Sequence, residues 1–282
     1  MAYLVTGATG NIGGRVVGRL LARGIRPRIF ARDAGKAHER YGDSVDIALG
    51  DLADTASLTR ALDGIDVLFL ATSGADLAAA DEAAAGAAKS AGARLLVKLS
   101  TYDVTQQVGT GVWHAAGEAA IRASGIAFTF VQPSGYMDNF LNWAGPIKSE
   151  MVVRSATADG RIPFIHSDDI ADVAVACMTV PGYDGQSLPI SGPEALSFAE
   201  MTAITGAAIG KPLRFEAISE EEARRQQVAW GAPPPLVEAR LSIFRAIREG
   251  RLAEVTTGVE RVLGHKPITF GQWAQQNAAA FA

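Results

Sequence analysis

The sequence contains few of the residues that bind metals or form disulfides. A single cysteine, Cys177, occurs in 282 residues, so no disulfide can form within the chain. The four histidines are His38, His114, His166 and His265, and none of them falls into HxxxH or HExxH spacing, the patterns typical of zinc sites. We therefore expect a protein that holds no metal.

Basic residues are not in excess, and the chain lacks a long hydrophobic run. Lysine and arginine number 26 against 30 aspartates and glutamates, a formal net charge of −4. Nucleic acids and anionic membranes favour proteins with a basic surplus, so we expect neither as a partner. The first residues, AYLVTG, have the pattern of neither a secretory signal nor a transmembrane segment, and we expect a cytoplasmic location.

Short β-rich apolar runs alternate with helix-patterned stretches from residue 2 to about residue 132. The strand candidates are AYLVT, RPRIFA, DIAL, DVLFLA, RLLVKLS and AFTFVQ. Their alternation with helices predicts an α/β fold with a Rossmann-like, doubly wound parallel sheet. After Pro133 the pattern becomes more helical. We predict a main domain over 1–133 and a smaller, mainly helical lobe over 134–282, with a strand or two of the lobe returning to the main sheet.

Local signals in the lobe mark where helices begin and break. Ser197 with Glu200, and Ser219 with Glu222, have the spacing of capping boxes, in which hydroxyl and carboxylate each accept from an orphan backbone N–H. The run Pro233–Pro235 is expected to form a stiff surface turn between helices, because proline supplies no backbone N–H.

A glycine-rich loop, TGATGNIGG, follows the first predicted strand and opens the first predicted helix. The GxxGxxG spacing permits a tight turn, a close approach of pyrophosphate to backbone N–H groups, and packing of the helix on the sheet. Since strand, loop and helix occur together, the motif predicts that the domain over 1–133 binds a dinucleotide. The expected contacts are Gly7, Thr9, Gly10, Asn11, Ile12 and Gly13.

The end of the second strand indicates which dinucleotide is preferred. NAD is usually held there by a carboxylate, and NADP by an arginine at its 2′-phosphate. Ala31 stands at the position of the acid and Arg32 follows it, with Arg15 available to help. We therefore predict NADP(H) as the preferred cofactor and NAD(H) as a possible one. Asp33 restores an acid if the alignment shifts by one residue, and Arg32 is then only a solvated surface charge.

With these motifs in view, the chain resembles the NmrA-like group of atypical short-chain dehydrogenase/reductases, which includes bacterial NADPH:quinone reductases and triphenylmethane-dye reductases. The resemblance extends over nearly the whole chain. It includes GDLADTASLTRALDGIDVLFL (50–70), HAAGEAAIRASGIAFTFVQPSGYMDNF (114–140), IPFIHSDDIADVA (162–174) and SGPEALSFAEM (191–201). It implies a Rossmann-like reductase that acts on a small molecule.

The resemblance also implies cofactor contacts after successive strands. These are Asp51 and Leu52 against the adenine, Ala71, Thr72 and Ser73 along the diphosphate and nicotinamide ribose, Ser100 and Thr101 after the fifth strand, and Pro133 with Ser134 beside the nicotinamide. General topology agrees, because an open α/β sheet binds its ligands at the carboxyl ends of the strands.

The catalytic group is harder to assign. Short-chain dehydrogenases use a tyrosine with a lysine four residues later, and no tyrosine of this chain has a lysine at that spacing. Three candidates are left: His114 at the start of the helix after the fifth strand, Tyr136 just beyond Pro133, and Tyr102. The alternatives are that His114 caps a helix or lies at the surface, and that each tyrosine packs at a pocket rim.

Other suggestive residues have simpler interpretations. Lys98 lies within a strand and is interpreted as a member of a structural ion pair. His166, Ser167, Asp168 and Asp169 look like a triad, but Ser167 is placed to cap a helix and no GxSxG elbow is present. The apolar side chains that either line an aromatic substrate pocket or form core are Met137, Phe140, Trp143, Phe164 and Trp230.

Together these observations predict an NAD(P)H-dependent reductase that transfers hydride to a quinone or an aromatic, polycyclic carbonyl compound, as a monomer or homodimer. A quinone needs little acid assistance, which suits the missing tyrosine and lysine pair. Two other hypotheses remain open. One is a non-enzymatic NAD(P) redox sensor, and the other is a tailoring enzyme of aromatic polyketide metabolism that performs ketoreduction, oxygenation or rearrangement.

Overall fold

The computed structural model describes all of residues 1–282, and strands and helices alternate from the first strand to residue 155. The strands are β1 (Tyr3–Thr6), β2 (Arg28–Ala31), β3 (Asp46–Leu49), β4 (Val67–Ala71), β5 (Leu95–Leu99), β6 (Phe128–Pro133), β7 (Val152–Ser155), β8 (Arg161–Ile162), β9 (Gln186–Ile190), β10 (Leu196–Ser197) and β11 (Arg214–Ala217). The helices are α1 (Asn11–Ala22), α2 (Ala34–Tyr41), α3 (Thr55–Ala61), α4 (Leu77–Ser90), α5 (Gly111–Ser124), α6 (Ala144–Glu150), α7 (Ser167–Thr179), α8 (Phe198–Ile209), α9 (Glu220–Ala229), α10 (Pro234–Arg248), α11 (Gly258–Leu263) and α12 (Phe270–Gln276).

Seven strands form the main sheet in the order β3-β2-β1-β4-β5-β6-β9. The pairs from β3 to β6 are parallel, with Val5 of β1 opposite Ile29 of β2 and Phe69 of β4. The strand order reverses direction at β1, which is the topology of a doubly wound sheet. The predicted α/β fold is therefore confirmed, and β9 is the strand that returns to the sheet from beyond residue 134.

The inner strands are buried because both of their faces are apolar. All four residues of β1 are buried, as are the first four of β4, and such continuous apolar runs are typical of parallel strands covered on both sides. Their side chains share a core with helices α3, α4 and α5, which includes Leu4, Phe30, Leu58, Leu68, Leu96, Ile121 and Phe130.

The chain forms two compact units. The first unit consists of Met1–Thr101, Trp113–Gln132 and Ile170–Leu188, and the second consists of Tyr102–Val112, Pro133–Asp169 and Pro189–Ala282. One division falls between Gln132 and Pro133, next to the boundary that the sequence predicts at residue 133. The shorter segments 102–112 and 170–188 belong to units that sequence patterning did not assign them to. The functional roles of the units stay predictions.

Aromatic rings form the core of the second unit. The ring of Phe140 lies 5.3 Å from that of Phe270, 5.7 Å from Trp143 and 6.2 Å from Phe198, measured between centroids. Met137 and Phe140 are fully buried, and Trp143 is 3% exposed. Buried rings in tilted and edge-to-face contact stabilise a core and present no surface to a ligand.

The aromatic residues therefore divide between core and surface. Phe164, 7% exposed, belongs to the same core, with its ring 5.9 Å from Phe198. Only Trp230 is substantially exposed, at 36%, and its ring stands at right angles to Trp143. The interpretation of these side chains as a substrate pocket does not hold for Met137, Phe140, Trp143 and Phe164.

Helix starts in the second unit follow local chemistry. Both predicted capping boxes are present, at Ser197 with Glu200 and at Ser219 with Glu222. Residues 230–233 connect α9 to α10, as expected of a break at this position, but the turn does not extend to Pro234 and Pro235, since α10 begins at Pro234 with Pro233 as its N-cap. Proline is well placed there, because the first helical N–H groups have no partner in any helix. No helix of the chain has both the length and the apolar character that crossing a membrane requires.

Candidate functional site

The glycine-rich loop, Gly7 to Gly13, makes a tight turn between β1 and α1. Gly7 has φ +64°, in the left-handed region, and its carbonyl accepts from the N–H of Gly10 at 2.9 Å. A Cβ atom added to Gly13 would lie 2.2 Å from the Gly7 carbonyl oxygen. Both positions therefore require glycine, the first for backbone conformation and the second for close approach of the helix to the strand.

The N-terminus of α1 is suited to an anion. Its N-cap is Gly10, which has no side chain to accept from the first N–H groups, and its first turn contains no acidic residue. The next two helices differ, because Asp33 caps α2 and Asp54 caps α3. Uncapped N–H groups and the positive end of the helix dipole favour a phosphate. The residues present thus fit the pyrophosphate of a dinucleotide.

The loop after β4 is held beside the glycine-rich loop. The Thr6 hydroxyl donates to the Phe69 carbonyl at 3.2 Å and accepts from the Ala71 N–H at 2.8 Å. A Cβ atom on Gly7 would contact the Cβ of Ala71 at 3.2 Å. These contacts bring Gly7 and Ala71 together, two of the positions predicted to contact the cofactor. Ser73 lies nearby in the sequence and is exposed.

The end of β2 presents Arg32 to solvent. Arg32 is exposed and makes neither an ion pair nor a hydrogen bond within the protein. The neighbouring Asp33 carboxylate accepts from the Lys36 N–H at 3.0 Å, as the N-cap of α2. Because Asp33 already has this role, the geometry favours Arg32 over Asp33 as the residue that contacts a ligand beside β2. The assignment of Arg32 to the 2′-phosphate stays a prediction.

Asp51 lies after β3, next to the end of β2. The N–H of Gly50 donates to the Ala31 carbonyl at 3.1 Å, which fixes this alignment. Oδ1 of Asp51 accepts from the N–H of Ala53 at 2.9 Å, so the exposed carboxylate is oriented by its own turn. Leu52 is half-buried and packs against the core of the first unit.

Two residues that contact the glycine-rich loop were missed in the sequence. The Tyr41 hydroxyl donates to the Ala8 carbonyl at 2.5 Å, and Nη1 of Arg40 donates to the Thr9 carbonyl at 2.8 Å. Burial raises the pKa of Tyr41. Both residues end helix α2, and no local pattern relates them to a loop about thirty residues earlier.

A buried polar network lies at the ends of β4 and β5. The Lys98 ammonium is 2.7 Å from Oδ2 of Asp81 and donates to the Thr72 hydroxyl at 2.9 Å, while that hydroxyl donates to Oδ1 of Asp81 at 2.8 Å. Lys98 and Asp81 are fully buried. The structural ion pair predicted for Lys98 is confirmed.

A second network joins the ends of β5 and β6 to helix α5. The Ser100 hydroxyl donates to the Glu118 carboxylate at 2.5 Å, and the Gln132 side chain donates to the same oxygen at 2.8 Å. Ser100 is 2% exposed and Glu118 5% exposed. The hydroxyl proton of Ser100 is thus directed at Glu118, so this side chain does not also donate to a cofactor.

His114 lies in the first turn of α5, with its ring half-buried. Its Nδ1 atom is buried and has no hydrogen-bond partner. Burial, together with the positive charge of Lys98, lowers the pKa of His114 to about 3. The imidazole is therefore neutral at physiological pH and can act as a neutral donor or acceptor, not as an imidazolium acid.

The two candidate tyrosines belong to the second unit. The Tyr102 hydroxyl donates to Oε2 of Glu254 at 2.6 Å, and burial together with this carboxylate raises the pKa of Tyr102 to about 12. Burial, and the charge of Asp103, raise the pKa of Tyr136 further above its usual value. Both phenols stay protonated at neutral pH. The proton of Tyr102 is directed at Glu254, whereas Tyr136 donates to no group of the protein.

The remaining predicted residues of the second unit are held by structural bonds. Pro133 ends β6, and the hydroxyl of Ser134 donates to the Pro163 carbonyl at 2.5 Å. Ser167 donates to Asp138 at 2.6 Å and not to His166, whose Nδ1 accepts from the backbone N–H of Asp168 at 3.0 Å. This arrangement agrees with the structural interpretation of the apparent triad.

Comparison with known proteins gives consistent results. The model of a family described as NAD(P)H-binding matches residues 7–181. A (4-alkanoyl-5-oxo-2,5-dihydrofuran-3-yl)methyl phosphate reductase from Streptomyces griseus is 39% identical over 282 residues, covering 99% of each chain. An NAD(P)H azoreductase from Xenophilus azovorans is 36% identical and covers 99% of this chain and 98% of its own.

A solved structure shows the same fold. The NADPH-dependent quinone oxidoreductase of Escherichia coli, complexed with NADPH, superposes with a TM-score of 0.90 over 98% of this chain and 99% of its own, at 23% identity. The sheet topology, the glycine-rich loop and the uncapped start of α1 define a Rossmann fold suited to a dinucleotide. The family model and the two relatives show an NAD(P)H-dependent oxidoreductase. The chain belongs to the NAD(P)H-binding family, in the NmrA-like group of atypical short-chain dehydrogenase/reductases.

Proposed function

We propose that this NAD(P)H-dependent reductase uses NADPH to reduce an electron-poor conjugated acceptor, a quinone or an aromatic carbonyl compound. The bound dinucleotide supplies the hydride, and the protein supplies position and electrostatics. In this proposal, the glycine-rich loop and the start of α1 hold the pyrophosphate. Arg32 contacts the 2′-phosphate, because its guanidinium is exposed and unpaired within the protein.

One observation carries the choice of acceptor: no candidate donor ionises near neutral pH. The pKa of His114 is lowered to about 3, that of Tyr102 is raised to about 12, and that of Tyr136 is raised as well. An efficient general acid has a pKa near the working pH. Hydride addition to a quinone forms a stabilised phenolate that takes its proton from water, whereas a simple ketone forms an alkoxide that needs a donor.

Hydrogen bonds from neutral groups suffice for such an acceptor. We assign the Tyr136 hydroxyl to the substrate oxygen, since it is protonated and donates to no protein group. His114, in the first unit, is the alternative to Tyr136, a neutral group whose Nδ1 has no partner. Tyr102 is a weaker candidate, because its bond to Glu254 would have to break first.

A conjugated lactone is a second candidate substrate. The similarity to the Streptomyces griseus reductase supports this candidate, since the two chains are 39% identical over 99% of each. The substrate in that protein's name contains a ring double bond conjugated to two carbonyl groups. Hydride addition there forms an enolate, which also needs no strong acid.

The test is oxidation of NADPH, and separately of NADH, by the purified protein with four acceptor classes: quinones, azo compounds, acyl butenolides with and without phosphate, and simple ketones. We expect oxidation with conjugated acceptors, a product two hydrogens heavier, and little activity on simple ketones. A preference for simple ketones contradicts the proposal. Binding of NADPH without oxidation by any acceptor also contradicts it and favours the redox sensor.

The role of Tyr136 is tested by Tyr136→Phe with Tyr102→Phe as its matched control. Loss of a hydrogen bond to a developing charge lowers kcat by about tenfold in Tyr136→Phe. We expect little change in the dissociation constant of NADPH. Tyr102→Phe loses only its bond to Glu254, so we expect kcat within about twofold of the wild type. A reversed order of the two variants overturns the assignment.

A further inference from the structure

Lys98 and Asp81 form an ion pair that stability alone does not explain. Both side chains are 0% exposed, and Lys98 lies within β5 between Leu70 of β4 and Phe130 of β6. Burying two charges carries a desolvation penalty of several kcal/mol per ion, and well-packed apolar residues of similar size are often equally or more stabilising. An ion pair in the middle of a sheet therefore suggests that it holds a neighbouring group in place.

Both members of the ion pair hydrogen-bond to Thr72, the residue that follows β4. The threonine hydroxyl accepts a hydrogen bond from Lys98 at 2.9 Å. It donates its one proton to Asp81 at 2.8 Å. Both its rotamer and its proton are thereby fixed. The preceding residue, Ala71, is bound to Thr6 and lies against Gly7, so the network reaches one contact away from the glycine-rich loop.

Helix α5 leaves room for this network. A Cβ atom added to Gly117 would lie 1.9 Å from Oδ2 of Asp81 and 3.0 Å from Cδ1 of Leu77. The φ of Gly117 is ordinary for a helix, so the need for glycine here is space for the carboxylate and not backbone conformation. Glycine within a helix is destabilising relative to alanine, so its presence at position 117 has a cost in helix stability.

We infer that Asp81 and Lys98 are positioning residues for the dinucleotide, which they serve by fixing Thr72 and the main chain of residues 71–73. The inference rests on the cofactor site of the proposed function. It assigns to Thr72 a main-chain role, because its hydroxyl proton is already used. Lys98 and Asp81 themselves are fully buried, so their effect on the bound dinucleotide is transmitted through Thr72.

The test removes the pair as a unit. Lys98→Met combined with Asp81→Leu leaves no unpaired charge and keeps the Thr72 hydroxyl. We expect a folded protein with an unfolding temperature near that of the wild type, a dissociation constant for NADPH raised about tenfold, and a weaker emission of bound NADPH. The control is Thr129→Val, a fully buried threonine whose hydroxyl donates only to the Tyr183 carbonyl.

A second pair of variants keeps the test decisive if the double variant does not fold. Thr72→Val removes the hydroxyl while preserving shape, and Thr72→Ser restores it. We expect weaker NADPH binding in the first and recovery in the second. Wild-type affinity and emission in the double variant, or in Thr72→Val, overturn the inference. An equal loss of affinity in Thr129→Val does so too, because it shows a general effect of stability.

The outcome is separable from that of the proposed function. Affinity and emission are measured without any acceptor, so they do not depend on turnover. A wild-type protein that binds NADPH but reduces no acceptor contradicts the proposed function and leaves this inference standing. Normal turnover together with an unaltered double variant contradicts only the inference.

Discussion

His114 shows how a buried environment sets the chemistry of one residue. Its pKa of about 3 results first from burial of the ring and second from the charge of Lys98. The unperturbed value is near 6.5, so the folded protein holds a neutral imidazole over the whole physiological range. Sequence position makes His114 a candidate catalytic group, and the lowered pKa excludes an imidazolium acid at neutral pH but not a neutral, orienting group.

The titration of His114 is directly measurable. We expect its imidazole NMR signals to remain unchanged down to pH 5. Because the folded pKa lies below the unfolded one, the unfolded chain takes up the proton first. Stability is thus lost as pH falls from about 6.5 toward 3. His114→Asn should show a shallower loss between pH 7 and 5 by urea unfolding, and an equally steep loss contradicts the assigned cause.

Arg32 is the single residue that we propose to set cofactor preference. Replacing it with alanine removes the charge proposed to contact the 2′-phosphate and leaves no partner behind, since Arg32 has none in the protein. We expect the KM for NADPH to rise about tenfold or more, with little change for NADH. The matched control is Arg23→Ala, another exposed arginine in the first unit. Equal changes for both cofactors would show that Arg32 has no role in discrimination.

At the scale of elements, two of the three glycines of helix α1, Gly13 and Gly18, differ in what their surroundings require. A Cβ atom on Gly13 collides with the Gly7 carbonyl at 2.2 Å, whereas one on Gly18 meets nothing within 4 Å. Gly13 lets helix α1 lie close to the loop that follows β1. Gly18 lies in the middle of the helix on its exposed face, where an added Cβ atom would contact nothing.

The two glycines make a matched pair of variants. Gly13→Ala should lower the unfolding temperature and abolish measurable NADPH binding, because helix and loop must separate. Gly18→Ala should raise the free energy of unfolding by about 0.5–1 kcal/mol through helix propensity, with NADPH affinity unchanged. Thermal unfolding and NADPH titration report both effects. Normal affinity in Gly13→Ala contradicts the packing argument.

At the scale of the whole molecule, each unit has its own core of different composition. The first unit is aliphatic and alanine-rich, with residues such as Leu68, Ala84 and Leu96 around the sheet. The second is built around the ring of Phe140, which contacts five other aromatic rings. Flat alanine surfaces let helices lie close on a parallel sheet, whereas irregular helices need large rings to fill the space between them.

Phe140 is therefore the residue on which the second core depends most. Phe140→Ala should lower the free energy of unfolding by about 3–5 kcal/mol, because a large cavity opens among rings that cannot collapse. The exposed Val228→Ala is its control and should change stability by less than about 0.5 kcal/mol. Urea unfolding measures both, and a small effect of Phe140→Ala contradicts the description of this core.

The sequence by itself determined whatever depends on near neighbours. Alternating apolar runs predict the parallel sheet, the glycine spacing predicts the turn after β1, and a serine followed three residues later by glutamate predicts each capping box. These patterns are readable because the interacting groups lie within one or two turns of chain.

Only the tertiary structure decided which polar groups share an environment. Lys98 meets Thr72 across 26 residues, Tyr41 meets Ala8 across 33, and Tyr102 meets Glu254 across 152. The neutral state of His114 likewise depends on burial and on the Lys98 charge. Hydrogen-bond partners and local dielectric are properties of distance in space, and a chain sets those distances only once its strands have paired and its helices have packed.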